Sequence, residues 1–465
     1  MAKPYASYKT SLLPFGRKIP SHWIESRLSR LFYRRCVQNC IGKELLSVFL
    51  DKGVVSYATT SQKQVHKPSE DMSKYQLVEF GDFVLNNQQA WRGSVGVSNY
   101  CGIVSPAYIV LRPFVPQDIN PSFLNYMGRD LDIISQFVLA SKGIGTIQRQ
   151  ISIPLLKQTI FAFPPRLEQD QIVQYLDWRC ALIQKFVKAK RKEIRRLQEL
   201  KKAIICDATM HGITAGVAMK NCSYPWIGQI PAAWTETRAK NVLIKLTRQV
   251  QPDDDFLICS NKGKVYFRGD TKIGLTSDSE DIYQGVRSGD LLIHGMDTWH
   301  GAIAVSDIDG KCTPVVHVCD STQNKRYIAY YLQALAFKKV YKAISNGVRE
   351  NTSDFRSWSK AGNILLVLPP VCEQGEIAGY LDGKCTIIDQ FIEKLKAEIS
   401  FVEEYRTRLI SDLVTGKVDI RNIEIPDWQA YPNAEATKEL DGDDADENTE
   451  SEDEEWEVNE DGDND

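Results

Sequence analysis

Three residues in the second half of the chain have types and an order that suit hydrolysis of a phosphodiester. Asp253 follows a proline, and Asp270 and Lys272 flank a threonine further along the chain. Two carboxylates and a lysine in this order can hold a divalent cation and position a water molecule for attack. The pattern is degenerate, because aspartate and lysine are common residues, and the first half of the chain has no equivalent. A self-contained, metal-dependent DNA endonuclease is therefore kept as an alternative function.

No other catalytic motif of defined mechanism is present. The sequence contains no GxxxxGK(S/T) phosphate loop, no GxSxG turn, no HExxH zinc motif and no Asn-Pro-Pro-aromatic or Asp-Pro-Pro-aromatic sequence for amino-group methylation. Eleven cysteines include no CxxC pair, which indicates reduced thiols and a cytoplasmic protein. The six scattered histidines are expected to be structural. We therefore predict that this chain has no catalytic residue, no metal site and no cofactor of its own.

Charge is distributed unevenly along the chain. Residues 435–465 contain seventeen acidic residues and one lysine, a charge of −16, and because the whole chain carries −3, residues 1–434 carry +13. A basic body favours a polyanionic partner such as DNA, since clustered cations displace counterions from phosphates. A solvated, lysine-rich surface is the alternative. The acidic tail cannot bury enough apolar surface to fold alone, so it is either a solvating, disordered end or a competitor of DNA for the basic body.

Three stretches of sequence occur twice, in the same order, which indicates two copies of one unit. Uncommon residues such as tryptophan, proline and glycine are among the matches, so coincidence is a poor explanation. The pairs are Ile19–Arg27 with Ile230–Arg238, Gly81–Ser98 with Gly289–Ser306, and Pro164–Asp177 with Pro369–Asp382.

Each copy is predicted to be an irregular, β-rich domain that ends in a long helix. Short apolar runs between turn residues predict strands, and a helical stretch follows at Ser122–Ala140 or Lys325–Ser345 before one final apolar strand. Paired prolines end that strand, because proline cannot continue a β-ladder. Glu168 and Glu373 then fall in the first turn of a helix, where exposed N–H groups favour a carboxylate.

Apolar residues recur in both long helices at alternating steps of four and three, which is typical of a coiled-coil seam. Residues 185–202 include nine basic and two acidic side chains, whereas residues 389–406 include three basic and five acidic ones. This difference in charge favours pairing of the two helices with each other, in an antiparallel arrangement with pseudo-twofold symmetry. Two separate helices, each docked on its own β-rich domain, are the alternative.

The doubled pattern resembles the specificity subunit of Type I restriction–modification enzymes. The resemblance rests on IP..W.E.R at the start of each unit, PP..EQ..I..YLD at its end, and SYPWIGQIPAAW at Ser223–Trp234. It implies an α+β fold with two tandem β-rich target recognition domains, each followed by a long helix of an antiparallel coiled coil, and a disordered acidic tail. The implied segments are 1–165 and 211–370 for the recognition domains, 166–210 and 371–416 for the spacer helices, 417–431 for a C-terminal segment and 432–465 for the tail.

The resemblance also implies a non-catalytic subunit that reads double-stranded DNA. Each recognition domain would read one half of an asymmetric, bipartite site. The helices would bind two methyltransferase subunits, which carry S-adenosylmethionine, and restriction subunits would add cleavage that depends on ATP and Mg²⁺. A coiled-coil adaptor without specific DNA reading is a further alternative. The partner-binding residues implied by the repeated element are Glu168, Gln169, Tyr175 and Asp177 in the first copy and Glu373, Gln374, Tyr380 and Asp382 in the second.

Candidate DNA contacts lie in two equivalent stretches before the last strand of each unit. Glycine beside long polar side chains allows close approach to phosphate and reach to base edges. Arg92 and His300, which follow the repeated tryptophans Trp91 and Trp299, are further candidates, although core packing is the simpler role for the tryptophans themselves. The complete set is Lys142, Gly143, Gln148, Arg149 and Arg92 in the first unit and Asn346, Gly347, Arg349 and His300 in the second.

Overall fold

The computed structural model describes two compact units, which together cover most of the chain. The first unit contains the described residues up to Ala189 together with Glu398–Asp427, and the second contains those of Lys190–Ala397. Asp270, Lys272, Asn346, Gly347, Arg349 and the acidic tail lie outside the described residues. The described ranges are 3–13, 16–40, 42–50, 52–59, 69, 71–144, 148–225, 227–269, 283–344 and 355–427.

The first unit is built from short strands and short helices that precede one long helix. Its helices are α1 (Leu28–Leu31), α2 (Pro121–Gly128), α3 (Leu131–Leu139), α4 (Ile153–Leu156) and the first half of α5 (Arg166–His211). Its strands are β1 (Tyr8–Thr10), β2 (Lys18–Pro20), β3 (Ile24–Arg27), β4 (Phe32–Arg35), β5 (Glu44–Phe49), β6 (Gly53–Ser56), β7 (Gln76–Val78), β8 (Phe83–Asn86), β9 (Val95–Val97), β10 (Gly102–Val104), β11 (Tyr108–Pro113), β12 (Ser141–Ile144), β13 (Gln148–Ile151) and β14 (Ile160–Phe163).

The second unit begins with the second half of α5 and ends with the first half of another long helix. Its helices after α5 are α6 (Lys325–Phe337), α7 (Val340–Ile344), α8 (Trp358–Ala361) and the start of α9 (Val371–Val414). Its strands are β15 (Met219–Asn221), β16 (Gln229–Pro231), β17 (Thr235–Arg238), β18 (Leu243–Lys245), β19 (Leu257–Cys259), β20 (Val265–Phe267), β21 (Gln284–Val286), β22 (Leu291–His294), β23 (Ile303–Val305), β24 (Gly310–Cys312), β25 (Val316–Ser321) and β26 (Leu365–Leu368).

The described strands pair in the same order in both units. The antiparallel sheet β4-β11-β8-β9 of the first unit is matched by β18-β25-β22-β23 in the second. The pairs β1-β2, β7-β10 and β3-β14 are matched by β15-β16, β21-β24 and β17-β26. The predicted duplication is therefore one architecture built twice, as the repeated sequence implied.

The helical stretch before the last strand of each unit consists of two helices. In the first unit α2 ends at Gly128, and α3 begins because the Asp130 side chain accepts a hydrogen bond from the backbone N–H of Asp132. In the second unit Lys339 has a left-handed backbone with φ of 58°, which ends α6 before α7 begins. The single helical stretches predicted at Ser122–Ala140 and Lys325–Ser345 are therefore each interrupted by a local turn.

Within the first unit, the start of α5 packs antiparallel to the end of α9. The amide of Gln171 donates to the backbone carbonyls of Ile420 and Arg421 at 3.1 and 3.0 Å, and Arg179 donates to the hydroxyl of Tyr405 at 3.2 Å. The buried side chains that join the two helices to one core are Ile172, Val173, Leu176, Leu413 and Val414.

Within the second unit, the end of α5 packs antiparallel to the start of α9. Lys201 Nζ lies 2.6 Å from a carboxylate oxygen of Asp389, and Gly212, just after α5, lies against Trp234 and Glu373. Ile205 and Leu381 are buried in the core that both helices share. The predicted antiparallel pairing is thus present in the described helices of each unit, and in the second unit opposite charges, Lys201 and Asp389, face each other across it.

Segments from both ends of the described chain complete the first unit. The N–H of Asp419 donates to the backbone carbonyl of Lys3 at 2.7 Å, and the Tyr8 hydroxyl donates to the carbonyl of Lys417 at 3.2 Å. The Arg421 guanidinium lies over the ring of Tyr5 at 5.1 Å. The first unit therefore depends on contacts between residues as far apart in sequence as Lys3 and Asp419, which are separated by 416 positions.

Burial lowers the pKa of two histidines in the second unit, the fully buried His317 and the half-buried His294, below the ordinary value of 6.5. The His317 ring lies 2.7 Å from the carbonyl oxygen of Phe355, to which Nε2–H donates. The folded chain therefore keeps these rings neutral at pH values where the unfolded chain already binds protons. The stability of the second unit should be complete above pH 6.5 and should fall as the pH drops below it.

Hydrogen exchange of β22 and β25 between pH 7 and pH 5 would measure this loss. A His317→Ile variant, which carries the residue type of Ile109 at the equivalent position of the first unit, should show a weaker dependence on pH. An unchanged dependence in that variant would mean that His317 does not contribute to it.

Candidate functional site: the helix starts and a tryptophan–arginine surface

The repeated Glu-Gln pair at the start of each long helix joins the helix to its own unit; Glu168, Gln169 and Gln374 are buried, and Glu373 is half-buried. Glu168 is 7% exposed and accepts hydrogen bonds from the Tyr5 hydroxyl at 2.7 Å and the Trp23 indole N–H at 3.0 Å. His22 Nε2 lies 2.7 Å from its other oxygen. Burial, together with the Glu168 carboxylate, raises the pKa of Tyr5, so the hydroxyl stays a donor. Glu373 accepts the indole N–H of Trp234 at 3.1 Å.

The glutamine of each pair closes the junction between the helix and the preceding strand. Gln169 donates to the carbonyls of Pro164 and Asp118, both at 2.9 Å, and accepts the N–H of Asn120 at 2.8 Å. Gln374 donates to the carbonyl of Pro369 at 2.8 Å and likewise accepts a backbone N–H, from Asn324, at 3.0 Å. The repeated element thus has an intramolecular role that the sequence comparison did not predict.

The remaining partner-binding candidates divide into paired and exposed side chains. Asp177 accepts the Tyr126 hydroxyl and Asp382 accepts the Tyr330 hydroxyl, both at 2.8 Å. Tyr175 is half-buried and packs edge-on against Trp178, whereas Tyr380 is 40% exposed. The carboxylates therefore hold helix and unit together, and the tyrosines are the candidates that reach the surface.

Replacing Glu168 by alanine should destabilise the first unit by about 2–4 kcal/mol, because the Tyr5 hydroxyl and the Trp23 N–H would lose their acceptor in a buried site. Glu373→Ala is the matched control, since one indole donor contacts that carboxylate, and should cost about half as much. Urea unfolding followed by hydrogen exchange in each unit would measure both effects. Equal losses in the two variants would contradict the role assigned to the additional donors of Glu168.

Each long helix also carries apolar side chains on a second, exposed track. Leu182 on α5 is 46% exposed, and Ile387 and Phe391 on α9 are 53% and 54% exposed. Leu182 and Ile387 occupy equivalent positions of the repeat, one residue before the buried seam positions Ile183 and Ile388. We call Tyr175 with Leu182 the first apolar face and Tyr380 with Ile387 and Phe391 the second apolar face.

The sequence prediction missed these faces, although a signal for them exists. Residues 175, 182 and 186 and residues 380, 387 and 391 follow the same heptad spacing as the buried seam, displaced by one position. Apolar residues on two adjacent tracks of one helix indicate two packing surfaces. The faces recur in both copies of the repeat, which is the pattern expected when the same kind of partner is bound twice.

The candidate DNA contacts of the first unit lie on a β-hairpin formed by β12 and β13. Lys142 pairs with Gln150, and Gly143 pairs with Arg149, so these residues face each other across the ladder. The side chains of Lys142 and Arg149 are exposed. Gln148 begins β13, and its backbone pairs with Ile144.

Arg149 and Arg92 meet at the ring of Trp91. The guanidinium carbon of Arg149 lies 5.1 Å from the centre of the ring, and that of Arg92 lies 5.5 Å from it. The indole N–H of Trp91 donates to the backbone carbonyl of Gln88 at 2.8 Å, which fixes the ring. The structure thus brings together two predicted contacts that are far apart in sequence, and it places the tryptophan at the surface rather than in the core.

The equivalent position in the second unit differs. Trp299 packs against the main hydrophobic core of that unit, and the ammonium group of Lys342 lies 5.4 Å from its ring centre. His300 is exposed at the end of a 3₁₀ turn, Thr298–His300. Asn346, Gly347 and Arg349 lie outside the described residues, so their assignment stays a prediction.

The residues considered for hydrolysis form no cluster in the part of the chain that the structure describes. Asp253 is exposed, while the other two members of that pattern lie outside the described residues. Among the described side chains, no group of three histidine, cysteine or acidic residues is placed to hold a metal ion. Within the same residues, no helix combines the length and apolar character needed to cross a bilayer.

Comparison with known proteins gives similarity at the level of fold. No protein-family model and no curated protein sequence matches the chain. A chain from a study of the "complex assembly and conformational transition of the type I R-M system" superposes with a TM-score of 0.60 at 15% identity, covering 86% of this chain and 100% of that one.

Two further solved structures are similar over comparable lengths. The HsdS subunit from Thermoanaerobacter tengcongensis has a TM-score of 0.46 at 17% identity, covering 87% of this chain and 99% of its own. The Type I restriction–modification S subunit from M. genitalium has a TM-score of 0.32 at 13% identity, covering 88% and 98%. With its doubled strand order and its two long helices, this chain has the same fold as the chain from the study of the type I R-M system, in agreement with the resemblance seen in its sequence.

Proposed function

We propose that this chain is the DNA sequence-recognition subunit of a Type I restriction–modification complex and that it reads an asymmetric, bipartite site. The observation that carries the proposal is the duplication of one β-rich architecture within a single chain, with different exposed side chains at equivalent positions, such as Arg92 in one copy and His300 in the other. Two readers of the same fold but different surface chemistry suit two different half-sites. Residues 1–165 and 211–370 are the proposed recognition domains.

Surface charge supports DNA as the ligand. Residues 1–434 carry +13, and within the described chain no carboxylate lies within ion-pair distance of Arg92, Lys142 or Arg149. When unpaired cations of this kind bind a phosphate backbone, they displace its counterions, and the release of these ions favours binding. By contrast, Arg35 and Arg112 of the same unit are held by Glu79 and Asp82 and serve the fold.

The proposed partners are two methyltransferase subunits, one on each apolar face. Leu182 and Ile387 sit at equivalent positions of the repeat, so one kind of partner surface fits both faces. Exposed apolar side chains grouped on one helix face mark a site of protein–protein interaction. S-adenosylmethionine would be bound by these partners, and restriction subunits that use ATP and Mg²⁺ would join the complex. The chain itself would carry out no reaction.

The proposal can be tested by mapping methylated adenines. The chain would be produced with its methyltransferase partner in a host that lacks adenine methylation, and genomic N6-methyladenine would be located by single-molecule sequencing. The expected result is one motif with two specific parts separated by a spacer of constant length. A motif without a spacer, or methylation that does not depend on this chain, would overturn the proposal.

Exchange of the second recognition domain provides a sharper control. Replacing residues 211–370 by the equivalent segment of another subunit of this fold should change one half of the motif and leave the other half and the spacer intact. A change in both halves would contradict independent reading by the two units.

A further inference from the structure

Trp91 forms a platform for a guanidinium group at the surface of the first unit. Its ring is fixed by the hydrogen bond from the indole N–H to the carbonyl of Gln88. The ring lies on a short 3₁₀ turn, Ala90–Arg92, that ends at Gly93 with a φ of 102°. A guanidinium group is planar and weakly hydrated, so it stacks on an aromatic ring and keeps its N–H edge available.

The hairpin that carries Arg149 is anchored next to this platform. The N–H of Ile151 lies 3.1 Å from both the backbone and the side-chain oxygen of Asn87, and Ile151 itself is buried. The Ser141 hydroxyl donates to the carbonyl of Phe137 at 2.7 Å. Both strands of the hairpin are therefore tied to the body of the unit at their base, which holds Arg149 over the ring.

The partner of Arg149 across the ladder is Gly143. Neighbouring cross-strand side chains normally compete for the same face of a hairpin. Because glycine has no side chain, the guanidinium group of Arg149 can lie flat against Trp91. Lys142 and Gln150 point to the opposite face, since side chains alternate along a strand.

We propose, on the basis of the function proposed above, that Arg149 reads a guanine in the half-site bound by the first unit and that Trp91 positions it. Arginine donates two parallel hydrogen bonds to O6 and N7 of guanine in the major groove, a geometry that distinguishes guanine from the other bases. Stacking on the indole fixes the orientation of the guanidinium group before DNA binds. Trp91 is thus a positioning residue, and Arg149 is the residue that contacts the base.

In the described part of the second unit, a different cation lies over the repeated tryptophan. Lys342 lies over Trp299, and an ammonium group is a compact charge without the planar pair of donors. Trp299 itself packs against the hydrophobic core of the second unit instead of forming a surface platform. We therefore assign guanine reading through an arginine over the repeated tryptophan to the first half-site, whose described residues include both side chains.

The test uses the full chain with its methyltransferase partner and a duplex library randomised across the first half-site. Arg149→Lys keeps the charge and removes the paired donors. It should lower affinity for the preferred sequence about tenfold and abolish the preference for guanine at one position, leaving the second half-site unchanged. Trp91→Leu should weaken the same preference, and Trp91→Phe, which keeps an aromatic ring, should retain most of it.

Lys142→Ala is the matched control, because it removes a cation from the other face of the same hairpin. It should reduce binding to all sequences to a similar degree and make binding less sensitive to salt, without changing base preference. Full base preference in Arg149→Lys would overturn the inference, and unchanged preference in Trp91→Leu would overturn the role of the platform. If either variant gives such a result while the wild-type chain still directs methylation to a bipartite motif, the proposed function is unaffected.

Discussion

Replacing Leu182 and Ile387 together by glutamate should prevent the chain from capturing its methyltransferase partners. The expected loss of affinity is about 100-fold or more, because an interface anchor would be replaced by a charge that must be desolvated on binding. Both side chains are about half exposed in the described chain, so the free chain should remain folded. Each single substitution should remove one of two partner copies, which sedimentation velocity of the assembled complex would resolve as a change in mass.

Substitutions away from the two faces provide the control. Gln184→Glu and Gln390→Glu add the same charge at exposed positions of the same helices, outside the first and second apolar faces. They should leave partner capture intact. If the Leu182 and Ile387 variants assemble as well as these controls do, the two faces are not the partner surfaces.

The largest effect on stability is expected for Asp82, a fully buried carboxylate in the first unit. It accepts hydrogen bonds from Arg112 Nε at 2.7 Å, Arg35 at 3.2 Å and the backbone N–H of Glu79 at 2.8 Å. Asp82→Ala would leave two arginines without their buried partner. The unit should lose about 3–5 kcal/mol of unfolding free energy, which is the usual result of breaking a buried ion pair by removing one member.

Glu79 provides the comparison within the same cluster. Its pKa is lowered to about 2, mainly by the hydrogen bonds from Arg35 and Arg112, yet its side chain is 39% exposed. Water solvates an exposed carboxylate and weakens its ion pairs, so Glu79→Gln should reduce the free energy of unfolding by less than about 1 kcal/mol. Chemical denaturation of both variants would measure the difference, and equal losses would mean that burial of Asp82 does not decide its contribution.

The doubled architecture could be predicted from sequence because uncommon residues mark the points where both copies must adopt the same structure. Trp23 and Trp234 are buried and donate their indole N–H groups to Glu168 and Glu373. A buried tryptophan with a fixed hydrogen-bond acceptor fits only a few arrangements of the surrounding side chains, so the same residue recurs at the equivalent position of each copy. The seam of the long helices was predictable for the same reason, since its spacing follows directly from the helical repeat.

The roles of the repeated polar residues could not be predicted from sequence. Glu168 and Gln169 were expected to bind a partner, because the family resemblance implies that role for the repeated element. Their contacts with Tyr5 and Asn120 form only when distant segments fold together. The platform at Trp91 was missed for a related reason, because the cation that lies over it comes from a hairpin that begins fifty residues later.

The assembly of the first unit from segments near both ends of the described chain has a consequence for synthesis on the ribosome. Among the described residues the second unit is one continuous segment, which is complete once Ala397 has left the exit tunnel. The first unit must wait for Asp419 to pair with Lys3 and for Arg421 to reach Tyr5. Although most of the first unit is translated earlier, it should therefore become fully protected from proteases only after the second unit has folded. This order is the reverse of the usual one, in which the N-terminal domain folds first during synthesis.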